Sequence, residues 1–235
     1  MNLKTQSFIE KFQHFEHMLK CLTDCNDSTR FVDALKRASE SNLYINKNFP
    51  LIEDLYALRN VFSHRERGKY VARISDFAIK ELDRLIDTIQ NPPAVIPKFK
   101  VDVFQAKTFE DIPKIMKVMR EKTFTHVPVW NENTFIGVFS YTSFFEWLAE
   151  RQSKENSEIT FTKKFMGDID RRYLNSPSVN FQFISQSFSL YEVPPLFENA
   201  TLKQKRLDCL LITPNGKKEE KLQGIITSWD IGTIK

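Results

Sequence analysis

The chain has 235 residues, with 34 Lys or Arg against 30 Asp or Glu and a formal net charge of +4, so it suits two domains of ordinary size and carries no global polyanion-binding signature. Its 21 phenylalanines form a large core payload that excludes a disordered chain, while 3 cysteines are too few for a disulfide framework and fit a reducing cytoplasm. Met1 to Gln6 lack the apolar run of a signal peptide, and the longest charge-free stretch, Tyr173 to Tyr191, is too rich in Ser, Asn and Gln for a membrane span, so a soluble cytoplasmic protein is expected.

Residues 1–90 read as helix. Phe8, Ile9, Phe12, Phe15, Met18, Leu19 and Leu22 follow one apolar helical face. A second helix begins near Asp27 or Ser28 and carries Phe31, Val32, Leu35 and Ala38. The third is entered at Pro50, a suitable first-turn residue, and holds Leu51, Ile52, Leu55, Leu58 and Phe62. After a break at Gly68, a fourth carries Val71, Ile74, Phe77, Ala78, Leu82, Leu85, Ile86 and Ile89. Four amphipathic helices with short connections predict a bundle. His14, His17, Cys21 and Cys25 lie near one face of the first helix, but His14 and Cys25 are about 16 Å apart along its axis. Zinc ligands converge within about 2.0–2.3 Å of the metal, so the row reads as a partly buried face and no metal site is expected.

Three prolines in Asn91 to Pro97 end the bundle and suit a stiff extended linker over 91–98. Beyond it the chain repeats itself. Thr108 to Met116 (TFEDIPKIM) lines up with Ser189 to Phe197 (SLYEVPPLF), and Phe135 to Ser140 (FIGVFS) with Leu222 to Thr227 (LQGIIT). A period this long marks a duplicated unit whose copies pack together and enclose a cleft. The first copy spans 99–155: Val101 and Val103 alternate as a strand, Thr108 with Asp111 reads as a helix cap, and two β runs lead to a helix from about Tyr141 to Arg151. The second, 156–235, repeats the order with strands at Phe181 to Ser185, Cys209 to Thr213 and Leu222 to Thr227. The fold class expected is α+β in two domains, a four-helix bundle followed by a tandem pair of β-α-β-β-α units.

Strand, helix, strand, strand, helix, with a last strand reading Gly-apolar-apolar-Ser/Thr-x-x-Asp, resembles the cystathionine-β-synthase (CBS) domain, and two copies resemble the pair that forms a Bateman module. The match covers roughly 99–235 and is most specific at Gly224-Ile225-Ile226-Thr227-Ser228-Trp229-Asp230-Ile231. The resemblance implies an adenine nucleotide, AMP, ADP or ATP, bound as a regulatory ligand between copies. It would put Thr227 near ribose or phosphate, Asp230 on the ribose hydroxyls and the base around Leu210 and Leu211, with Ser189 also among the nucleotide-binding residues. A carboxylate can accept both hydroxyl hydrogens of a diol. Thr227 and Asp230 also fit a simple helix cap, and the two roles can coexist. The first copy has Ser143 where the acid should stand, so one nucleotide per chain is expected.

Leu58-Arg59-Asn60-Val61-Phe62-Ser63-His64-Arg65 resembles the Arg-polar-x-x-x-His signature of the HEPN family, four-helix domains that include metal-independent ribonucleases. The resemblance implies His64 as general base on a ribose 2′-hydroxyl, Arg59 on the scissile phosphate and Asn60 orienting one of them, in a composite site that requires a homodimer. RNA would follow the cations from Arg59 to Arg73. The same arginine and histidine also suit a helix C-terminus with no catalysis. His126 is read as a packed polar residue, Cys209 as an inert core thiol, and Trp147 with Phe144 and Phe145 as a packing surface between copies. With only 6 glycines and no phosphate-cradling loop, a kinase or nucleotide hydrolase is not expected. The function expected is a regulatory adenine-nucleotide sensor controlling the helical domain. The rivals are a nucleotide-gated ribonuclease and a non-binding dimerisation scaffold.

Overall fold

The computed structural model describes residues 3–63, 73–155, 164–175, 180–203 and 206–234. The fold is α+β, and the chain divides into two compact units, one of 1–93 with 189–195 and one of 94–188 with 196–235.

The first unit is helical: α1 (Leu3–Leu22), α2 (Phe31–Ser41), α3 (Leu43–Lys47), α4 (Phe49–Ser63) and α5 (Asp76–Gln90). Phe8, Phe12, Phe15 and Leu19, spaced along one face of α1, are all fully buried. Phe31 of α2 closes on Phe12, ring centroids 5.1 Å apart, and stacks on Tyr56 of α4 at 4.6 Å. The short α3 is an element that apolar spacing does not announce. Its signal is Asn42, whose side chain accepts from the Tyr44 and Ile45 amides at 3.0 and 3.2 Å. Ser75 caps α5 by accepting from Ala78 N at 3.2 Å. That start sets the buried face as Ala78, Leu82 and Leu85 and leaves Phe77, one residue out of step, 66% exposed. Val71, placed by the sequence on the same face, lies outside the described residues. The segment 189–195 belongs to this unit: Leu190 N donates to Pro93 O at 2.8 Å, and the Tyr191 ring lies 5.1 Å from Tyr44.

The second unit begins with α6 (Val95–Lys98) and contains two three-stranded sheets of the same design. In the first, β1 (Ala106–Lys107) runs parallel to β2 (His126–Asn131), which pairs antiparallel with β3 (Thr134–Ser140). In the second, β4 (Phe181–Ser185) runs parallel to β5 (Cys209–Thr213), which pairs antiparallel with β6 (Gly224–Thr227). Each parallel pair needs a crossover, supplied by α7 (Ile112–Lys122) in the first copy and by α10 (Val193–Leu202) in the second. After β3 come α8 (Tyr141–Glu155) and α9 (Arg171–Leu174). The sequence repeat is therefore a structural one, order and hydrogen-bonding sense included.

The aligned glycines have one role. A Cβ on Gly137 would collide with the Leu174 carbonyl, and one on Gly224 with the Phe99 carbonyl. The copies share a core: Trp130, Phe135 and Val138 of the first cluster with Cys209, Leu211 and Leu222 of the second. Phe144 and Trp147 pack in a second cluster with Ile112 and Ile115 of α7 and with Met166, Ile169, Tyr173 and Leu174 beyond residue 155, and Phe145 is exposed. Residues 101–105 form no strand, although Val101 and Val103 alternate. Val101 N reaches only Gln223 O, at 3.1 Å. The crossover helix starts at Ile112 rather than Thr108, because Thr108 Oγ1 donates to Asn131 Oδ1 at 3.1 Å and does not cap it.

Candidate functional site

Residues 101–104, the turn 123–126 between α7 and β2, and the end of β6 enclose a cavity of about 780 Å³ within the second unit. Its apolar side is Val101, Val103, Phe104, Phe124 and Ile225, with Phe104 and Phe124 stacked at 6.0 Å. Its polar side is Thr123, Thr125, His126, Thr227, Asp102 and Asp230, and the indole of Trp229, 82% exposed, stands at the rim. The turn is shaped by Thr123, which ends α7 in the left-handed conformation at φ 57°.

Thr227 and Asp230 meet in this wall. Asp230 Oδ2 accepts from Thr227 N at 2.7 Å and from Thr227 Oγ1 at 2.8 Å. The chain continues not into a helix but through a turn, Asp230 N to Thr227 O at 3.0 Å, and a 3-10 segment at Ile231–Thr233. In the first copy the equivalent pair closes on itself: Ser140 N donates to Ser143 Oγ at 2.8 Å and Ser143 N to Ser140 Oγ at 3.2 Å. Ser143 is fully buried, so this copy presents no acid and no free hydroxyl at that position.

The remaining positions fall elsewhere. Leu210 and Leu211 are fully buried in β5 and are not among the residues lining the cavity. A strand central to its sheet, apolar on both faces, is a core element, and the cavity is lined instead by Val101, Val103 and Phe104, of a segment whose alternation the sequence reads as a strand. Ser189 lies in the first unit, where its hydroxyl accepts from Tyr191 N at 3.3 Å. His126 reaches the cavity wall instead of being merely packed: its Nδ1 is 2.8 Å from Thr125 Oγ1 and its Nε2 is 3.7 Å from Asp208 Oδ1. Burial pushes the Asp208 carboxyl up, but His126, the Asn180 amide at 3.0 Å and Arg206 at 2.6 Å together hold it below the ordinary carboxylate range. Burial drives the Cys209 thiol far up, which makes it inert.

In the first unit, Arg59 lines a separate cavity of about 500 Å³ whose charged residues are Lys20, Arg30 and Lys36 with Glu16, Asp27 and Asp33. Arg59 Nη1 donates to Asn60 Oδ1 at 3.1 Å, its Nη2 is 3.9 Å from Glu16, and its Nε is buried without a partner among the described residues. His64, Arg65, Arg67 and Lys69 lie outside the described residues; Arg73 is exposed. On α1 and just beyond it, His14 meets Gln90 at 3.0 Å, Cys21 meets His17 at 3.6 Å and Cys25 receives Thr23 Oγ1 at 3.1 Å.

Residues 100–150 match the model of the CBS domain family, so the chain carries a CBS domain there. No curated protein matches the chain. Among solved structures it is similar to CBSX2 in complex with AMP, at 20% identity over 58% of this chain and 91% of that one, TM-score 0.40. It is also similar to the CBS domain pair of MJ0100 in complex with 5′-methylthioadenosine and S-adenosyl-L-methionine, at 14% identity over 60% and 94%, TM-score 0.41. A third is the CBS domain protein TA0289 of Thermoplasma acidophilum, at 14% over 61% and 70%, TM-score 0.41. Among the described residues no helix is long and apolar enough to cross a membrane.

Proposed function

We propose that the second unit is a sensor that binds one adenine nucleoside or nucleotide per chain and thereby regulates the helical unit. The observation that carries this is the pair Thr227 and Asp230, joined at 2.8 Å in the wall of a cavity of about 780 Å³ whose lining is otherwise largely apolar and aromatic. A flat base needs apolar lining, and a ribose needs a carboxylate oxygen within the same cavity. The CBS match over 100–150 and the Gly-apolar-apolar-Thr-x-x-Asp of the second copy support the adenine class. Only the second copy offers the acid, which gives one site. Calorimetric titration with AMP tests this. Saturable binding near one per chain is expected, weakened about tenfold or more by Asp230→Ala, the loss of a charge-assisted hydrogen bond. Two equal sites, or binding indifferent to Asp230, would refute it.

A second reading is favoured by Arg59 in its charged cavity with an unpartnered, buried Nε. A guanidinium so held could receive a phosphodiester, with His64 as base and a homodimer completing the site. Unchanged RNA cleavage in a clean preparation of His64→Ala would end this second reading.

A further inference from the structure

We infer that the cavity of the second unit selects nucleosides of low net charge, neutral or cationic, over nucleoside polyphosphates; this rests on the nucleoside reading above. Among the described residues that line the cavity, two are carboxylates, Asp102 and Asp230, and none is Lys or Arg. The imidazole of His126 is the lone basic group in that lining, and it faces the buried Asp208 at 3.7 Å. Arg206, tied to this wall through Asp208, has its Nε held on that carboxylate at 2.6 Å. It balances Asp208.

Phosphate recognition commonly draws on a fixed cation, a glycine-rich loop or the open amides of a helix N-terminus. After β6 the chain forms a turn and a 3-10 segment, not an α-helix, and several of its amides are already paired. Thr227 N is on Asp230, Asp230 N on Thr227 O, and Thr233 N and Ile234 N on Asp230 O and Ile231 O. Every phosphoryl group added to the ligand would therefore bring negative charge towards Asp102 and Asp230 with no Lys or Arg among the described lining residues to offset it. A sulfonium or ammonium group would gain instead, from the same carboxylates and from the faces of Phe124 and Trp229.

The test is titration of the full chain, free of magnesium, with adenosine, S-adenosyl-L-methionine, AMP and ATP at low and high ionic strength. Adenosine and the sulfonium nucleoside should bind at least about tenfold more tightly than ATP. Salt should narrow that ratio, because it screens like charges. Asp102→Asn, at an exposed position of that lining and with folding checked by circular dichroism, should raise ATP affinity several-fold and change adenosine affinity far less. ATP binding as tightly as adenosine, or a ratio indifferent to Asp102 and to salt, would overturn the inference and leave the nucleoside sensor standing. No binding of any of the four to protein folded by circular dichroism would remove the sensor reading and this inference with it.

Discussion

Asp208 is nearly excluded from water, its side chain 4% exposed, yet three groups keep it ionised: His126, the Asn180 amide and Arg206. Replacing it with Asn removes the charge while keeping the shape, so Asn180 N keeps an acceptor and Arg206 loses its counter-ion. Asp208→Asn should cost about 1–2 kcal/mol at neutral pH, measured by urea denaturation. The pH dependence has a definite sign. The carboxyl is lower in the folded chain than in the unfolded one, where it titrates near 3.9 (about the ordinary Asp value). Its stabilisation is thus complete above that value and is lost as pH falls through the folded one. The gap between wild type and variant should close below about pH 4. Glu220 shows the same sign in a solvent-exposed turn. Its carboxylate accepts from Asn215 N and Nδ2, both at 2.7 Å, which lowers it to about 2. Glu220→Gln should loosen the 215–220 turn at neutral pH and make no difference below that value, as read from amide exchange.

At the scale of elements, the aligned glycines are the sharpest constraint, because in both copies a neighbouring backbone carbonyl occupies the place of a Cβ. Gly224→Ala and Gly137→Ala should each cost about 2 kcal/mol or more, since backbone cannot yield as a flexible side chain can. Gly232→Ala, with nothing within 4 Å of the added methyl, should stay within about 0.5 kcal/mol of wild type in the same denaturation series. These positions also show what a sequence can carry. The repeat, both sheets and the helices α1, α2, α4 and α5 are legible because apolar spacing and glycine position reflect burial directly. Thr227 and Asp230 are legible as a motif, but their mutual hydrogen bond is not, since spacing does not say which group caps which. The wall at Val101 to Phe104 is hidden for another reason. An alternating Val-x-Val segment looks the same whether its edge is paired in a sheet or open to a cavity. The base was expected at Leu210 and Leu211, a central strand whose apolar run signals burial on both faces and not a contact surface. Ser189 was misplaced similarly: its local capping role is readable, the unit in which it packs is not.

At the scale of the molecule, the chain passes between the two units at 93/94, 188/189 and 195/196, so the helical unit holds a seven-residue stretch of the second repeat, 189–195. Within that unit the stretch is anchored by Leu190 N on Pro93 O at 2.8 Å and by Tyr191 against Tyr44, whose hydroxyl accepts from Arg84 Nη1 at 2.9 Å. A ligand that binds the folded second unit stabilises it by an amount set by its concentration over its Kd, about 2.7 kcal/mol at a hundredfold excess. Whether it regulates depends on a different quantity, its differential affinity for two states of the helical unit. Hydrogen exchange separates the two. Saturating adenosine should slow exchange at 101–104, 123–126 and 225–230 whatever the regulatory outcome. If the sensor controls the helical unit, exchange at 189–192 and in α3 should also change in the wild type and not in Asp230→Ala. Protection confined to the second unit would mean that binding occurs without transmission. The covalent crossings would then be connections only, and Arg59 with its cavity would act independently of the ligand.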